Sequence, residues 1–118
     1  MLALVPSVGT KPERAVRAAL LRLGERFDCN VEGLPGTPDI VLPGKRAVFV
    51  NGCFWHAHDC SKGKVRGAYW TERQARTVAR DLETEAALLR EGWSILTIWE
   101  CETEDFNGLK KKLLSLIN

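Results

Sequence analysis

No stretch of the 118-residue chain approaches the ~20 consecutive apolar residues that a membrane-spanning helix needs. The opening MLALVPSVGT has neither a basic n-region nor a full hydrophobic region, so no secretory signal is expected. Charge of one sign is scarce too: 17 basic against 15 acidic side chains leave a formal +2. A surface for nucleic acid would therefore have to come from the distribution of charge, not from its sum. There is no internal repeat and no Pro/Gly/Ser-rich linker. What remains is ordinary globular material, 45% hydrophobic and 27% charged, which excludes wholesale disorder. One domain over residues 1–118 is expected, with residues 1–9 as a short N-terminal lead.

Periodicity outlines that domain. Thr10-Lys11-Pro12-Glu13 reads as a helix start, with Thr10 as N-cap and Glu13 at the reciprocal capping position. Val16, Ala19, Leu20, Leu23 and Phe27 follow at helical spacing. Residues 29–34 read as a short strand, and Pro35-Gly36-Thr37-Pro38 as a turn. Residues 39–42 and 46–51 are β-rich runs joined at Pro43-Gly44, which predicts a hairpin. A second helix is predicted from Thr71 to Glu91, with Thr71 and Gln74 as its capping box. Its core stripe would be Ala75, Val78, Leu82, Ala86 and Leu89, and Gly92 would stop it. Residues 93–99 (WSILTIW) read as a strand covered on both faces, and a last helix starts near Asp105. The order α-β-β-β-loop-α-β-α predicts an α/β fold, a small mixed sheet flanked by helices.

Histidine is rarer than cysteine, and both are placed unevenly. The two histidines, His56 and His58, lie between Cys53 and Cys60, and Cys101 directly follows the strand predicted over 93–99. In a chain without an export signal, such a cluster points to metal rather than to disulfides. Zinc takes four N/S ligands in a tetrahedron, and a ligand from a distant strand end would pin the loop to the core. Cys53, His56, His58, Cys60 and Cys101 compete for four places. The plain alternative is two reduced structural cysteines and two surface histidines, which leaves the histidine clustering unexplained. No glutamate stands in the H-x-E arrangement of zinc deaminases, so a closed structural zinc is expected.

Asp39 opens a strand after a turn, where a carboxylate at the lip of a buried strand can hold Mg²⁺; an Asx-type turn role competes with that reading. Glu13 is read first as a cap, a role that still lets it face a neighbouring site. Phe54 and Trp55 sit in the cluster loop, either as a plug over the metal or as a wedge between base pairs. Lys62, Lys64, Arg66, Arg73, Arg76 and Arg80 set six positive charges against Glu72 over residues 62–80, directly after the cluster, where phosphates can be held.

These residues carry a resemblance. G-x-PDIV at 36–41, AVFVNGCFWHAHDC at 47–60, YW at 69–70, RD at 80–81 and GWSILTIWECE at 92–102 are similar to the very short patch repair endonucleases, collinearly from Thr10 to Glu102. The resemblance implies a restriction-endonuclease-like core with a structural zinc loop and a Mg²⁺-dependent nick in one strand of double-stranded DNA beside a T:G mismatch. It matches Asp39 to the Mg²⁺-binding aspartate, Val50 to the position whose backbone carbonyl helps hold that metal, His56 to the catalytic histidine and Glu13 to a supporting acid. Cys53, His58, Cys60 and Cys101 match the zinc ligands, and Phe54 and Trp55 the wedge. The chain departs from the family pattern in three places: nine unrelated residues precede Thr10, Asn51 replaces a histidine on the DNA-engaging side, and Thr77 replaces an asparagine. The expectation is a monomeric, bacterial, cytoplasmic, nucleoid-associated repair nickase. A related nuclease with another DNA target (restriction or defence) and a zinc-stabilised DNA-binding module without catalysis are its rivals.

Overall fold

The computed structural model describes residues 10–53 and 68–117, with backbone alone over 68–70. The element order is α1 (Lys11–Arg22), β1 (Asp28–Cys29), β2 (Ile40–Leu42), β3 (Arg46–Asn51), α2 (Ala68–Arg90), β4 (Ser94–Trp99), a 3₁₀ turn (Glu100–Glu104) and α3 (Phe106–Ile117). The four strands form one sheet in the order β1-β2-β3-β4. β1, β2 and β3 pair antiparallel, while β3 and β4 pair parallel from Arg46↔Ser94 to Asn51↔Trp99. A parallel neighbour needs a crossover, and α2 supplies it. This is the expected small mixed sheet flanked by helices.

One face of the sheet carries the main core. Ile40, Leu42, Val48 and Ile98 pack with Val16, Ala19 and Leu20 of α1 and with Leu109 and Leu113 of α3. Thr10 caps α1 as expected, its hydroxyl accepting from the Glu13 N–H at 3.4 Å. The helix ends at Arg22, short of Phe27, and Phe27 reaches the core from outside it. Asp105 holds the start of α3, its carboxylate accepting from the Gly108 N–H at 3.2 Å.

Three expectations need correcting. The strand over 29–34 shrinks to Asp28–Cys29, because Asn30 and Gly33 take positive φ and turn the chain out of the ladder. α2 starts at Ala68, so Thr71 lies inside its first turns and is not its N-cap; Ala-Tyr-Trp contains no breaker that would delay the helix. The α2 stripe is also rotated by about one residue. Leu82 and Leu89 are 63% and 55% exposed, while Gln74 and Leu88 are buried, with Thr77, Val78, Asp81 and Thr84 half-buried along the same side.

The rotation follows from a close approach. At Gly36 (φ +74°) a Cβ would run into the Thr84 side chain and stand 3.2 Å from the Phe49 ring. The turn before Asp39 is thus wedged between α2 and the sheet, where only a small residue on the helix fits. Gly36→Ala combines a left-handed backbone with that clash, and we expect a loss of about 2 kcal/mol or more, roughly 8 °C in melting temperature. A calorimetric melt checks this; an unchanged transition would mean that the turn is not held there.

Candidate active site

The candidate residues collect at one end of the sheet, where β2 begins and β3 and β4 end. Asp39 precedes β2, Val50 and Asn51 close β3, and Cys53 and Cys101 stand just past β3 and β4. α2 leaves from the same end. Its far end is tied to the hairpin turn, where Lys45 Nζ donates to the Glu91 carbonyl at 2.9 Å. Open α/β sheets place ligands beyond the carboxyl ends of their parallel strands, and the candidate residues gather at that end here.

Asp39 and Glu13 meet there. Glu13 is 1% exposed on the sheet-facing side of α1, and its carboxyl shares a hydrogen bond with that of Asp39. Asp39 Oδ2 also accepts the Val50 N–H at 2.7 Å. Burial lifts the Asp39 carboxyl from its ordinary 3.8 to about 7; the Val50 N–H pulls it down, the neighbouring Glu13 pushes it up again by charge and hydrogen bond, and Arg17 lowers it slightly. Two carboxyl groups forced together in this way cannot both ionise cheaply without a cation.

Val50 contributes more than its N–H. Carrying the register Ile40↔Val48 two residues further sets Pro38 across from Val50. An antiparallel hydrogen-bonded pair exchanges two N–H···O bonds, but proline has no N–H. The Val50 N–H therefore turns to Asp39, and the Val50 carbonyl is left at the same edge without a donor from β2. Two carboxylates and a strand carbonyl are hard oxygen donors of the kind Mg²⁺ accepts, so the residues present fit that ion.

On the neighbouring side, Cys53 and Cys101 each lie two residues beyond the last register pair, Asn51↔Trp99, with Cys101 in the 3₁₀ turn. Cys53 is fully buried, Cys101 is half-buried, and neither forms a disulfide among the described residues. The Cys53 N–H donates to Glu100 Oε1 at 3.3 Å. Among the described residues no group of three or more His, Cys, Asp or Glu forms a metal site. Of the other candidates, Phe54, Trp55, His56, His58, Cys60, Lys62, Lys64 and Arg66 lie outside the described residues. Asn51 is half-buried at the end of β3, and Arg73 is exposed on α2 with Arg76 and Arg80 at helical spacing.

Two further residues of this end, Glu100 and Arg17, are not among the candidate site residues that the sequence points to. Glu100 fixes the Cys53 backbone through its side chain, a contact one residue out of step with the strand register. Arg17 lies 3.8 Å from Glu13, and the i,i+4 spacing was the available signal.

Comparison with known proteins gives this geometry a lineage. Residues 1–62 match the family model of the DNA mismatch endonuclease Vsr. The chain belongs to this family. It is 45% identical over 118 residues to the type II nicking enzyme V.XorIIP of Xanthomonas oryzae, covering 97% of this chain and 87% of that one. It is 35% identical to the type II nicking enzyme V.NmeAIP of Neisseria meningitidis, covering 96% and 84%. The DNA mismatch endonuclease Vsr of Escherichia coli is 38% identical over 78% of this chain and 62% of its own length. The catalytic domain of the homing endonuclease I-Bth0305I superposes with a TM-score of 0.65 at 25% identity, over 92% of this chain and 94% of that domain. This Vsr-family chain is thus a nuclease acting on DNA, with a restriction-endonuclease-like core. No helix among the described residues is long and apolar enough to cross a membrane.

Proposed function

We propose that this chain is a Mg²⁺-dependent endonuclease that nicks one strand of duplex DNA at a target set by a restriction-type system. The observation that carries this reading is the Glu13–Asp39 pair beside the Val50 carbonyl, an oxygen cluster that is costly to ionise until a cation joins it. The type II nicking enzymes among its relatives support the target class. A second reading, a T:G mismatch as target, is favoured by the mismatch endonuclease of Escherichia coli.

In this reading Asp39, Glu13 and the Val50 carbonyl hold the ion. Bound Mg²⁺ would supply Lewis-acid stabilisation of charge on the scissile phosphate. His56 takes the proton from the attacking water, a task suited to an imidazole whose pKa lies near neutrality. Cys53, His58, Cys60 and Cys101 would bind a structural zinc, which would tie the 53–60 segment to the end of β4 and so position His56. Phe54 and Trp55 enter the duplex as a wedge, with Asn51 beside them, and Lys62, Lys64, Arg66 and Arg73 hold phosphates.

The test is a nicking assay on fully paired and T:G-containing duplexes, with and without Mg²⁺. Single-strand breaks at a fixed sequence, present only with Mg²⁺ and without need of a mismatch, are the expected result. Breaks confined to T:G duplexes would transfer the target to the second reading. Binding of duplex without any break would sink both.

A further inference from the structure

Arg17 stands one turn beyond Glu13 on α1, so the two side chains share a helix face. The Glu13 side chain is 2% exposed, and that of Arg17 is 25% exposed. Their closest approach, Arg17 Nη1 to Glu13 Oε2, is 3.8 Å, longer than the ~2.7–2.9 Å of a charge-assisted hydrogen bond. Arg17 makes no other ion pair or hydrogen bond with the described residues. Two other arginines of the fold are spent on it: Arg22 lies 4.2 Å from the centre of the Phe106 ring, and Arg46 donates to the carbonyls of Pro43 and Ile117. The Arg17 guanidinium, with five donors, has one loose contact with Glu13 and a longer-range attraction to Asp39, and its side chain keeps 25% of its surface exposed.

That position is informative if the acid pair is the cleavage centre, on which this inference rests. A cation held by Glu13 and Asp39 would neutralise the charge that Arg17 now faces and leave its guanidinium for another anion. The anion that the reaction brings to that spot is the DNA phosphate. We propose that Arg17 is a catalytic residue that holds a non-bridging oxygen of the scissile phosphodiester. Hydrolysis forms a P–O bond to the oxygen of water and breaks the P–O bond to the leaving sugar oxygen, which takes up a proton. Negative charge on the non-bridging oxygens must be held throughout, and a planar guanidinium fork is shaped to hold it.

The test uses the full chain with Arg17→Met and Arg17→Lys. It measures Mn²⁺ binding by the electron spin resonance of the free ion, thermal melting, and single-turnover nicking in Mg²⁺ of the duplex that the wild type cuts. Arg17→Met is expected to slow nicking by about 10²–10³-fold, the range for loss of one preorganised donor, and Arg17→Lys to recover at least about tenfold of it. Mn²⁺ affinity should stay level or rise, since a positive neighbour has gone, and melting should move little. Nicking by Arg17→Met within about threefold of wild type would overturn the assignment. So would a tenfold or greater loss of Mn²⁺ affinity, which would make Arg17 a mere support for Glu13. A wild-type chain that binds Mn²⁺ but cuts no duplex would overturn the cleavage centre itself, and the role of Arg17 with it.

Discussion

Asp39→Asn is expected to lower single-turnover nicking by about 10³-fold or more, an increase of ~4 kcal/mol in the barrier, while the fold survives. The asymmetry follows from what the carboxylate touches. An asparagine side-chain oxygen still accepts the Val50 N–H that Asp39 takes at 2.7 Å. Its amide N–H can also donate to Glu13, which replaces the hydrogen bond the two acids share. What asparagine does not supply is the negative charge that holds a divalent ion. Mn²⁺ binding should therefore vanish together with activity, and the melting temperature in metal-free buffer should hold or rise. Retained nicking would remove Asp39 from the centre.

The same residue gives a pH signature of definite sign. Asp39 titrates near 7 in the folded chain, against 3.8 ordinarily, so between those values the folded state binds the proton more tightly. The stability that this group contributes is complete below its ordinary value and is lost as the pH rises to about 7. Wild-type protein dialysed free of Mg²⁺ should thus melt at falling temperature over that window, and Asp39→Asn should lack this component. Metal binding follows the opposite course, because the ion competes with the proton: Mn²⁺ affinity should climb up to about pH 7 and level off above it. An affinity indifferent to pH over this range would place the ion elsewhere.

What could be read in advance is what local rules govern. Thr10 caps α1 because Thr-Lys-Pro-Glu offers a hydroxyl three residues before an N–H that needs it. The β2–β3 hairpin follows from two β-rich runs around Pro43-Gly44, and its three-residue connection takes the positive φ values that Gly44 and Lys45 show. The face of α2 was not legible. Leu82 and Leu89 are as apolar as the buried Leu88, yet they stay exposed while Thr84 turns inward, where the Gly36 turn comes too close for a larger side chain. The acid pair was half legible: each carboxylate stood out alone, but only the packing of α1 across the sheet joins Glu13 to Asp39. The Val50 carbonyl was announced by Pro38, whose missing N–H counts only once the register is known.

Cys101→Ser is the second variant with a large expected effect, and it acts on stability rather than on chemistry. Cys53 and Cys101 each follow two residues after the last register pair of β3 and β4, and Glu100, next to Cys101 in the 3₁₀ turn, holds the Cys53 N–H. If these thiols are two corners of a zinc cage completed by His58 and Cys60, the metal's binding energy is folding energy. A serine hydroxyl is a poor zinc ligand, so the cage opens and that contribution largely disappears. We expect the purified wild-type protein to hold one equivalent of zinc, the variant to hold much less, and its melting temperature to fall by roughly 10–15 °C, corresponding to ~3 kcal/mol or more. Chelation of the wild type should reproduce the fall, and added Zn²⁺ should reverse it in the wild type only. Cys29→Ser is the control, since Cys29 is an exposed thiol on the edge strand and should leave both readings unchanged. A Cys101→Ser protein that keeps its zinc and its melting temperature would take Cys101 out of the ligand set, and the 53–60 segment would then need another anchor to bring His56 to the acid pair.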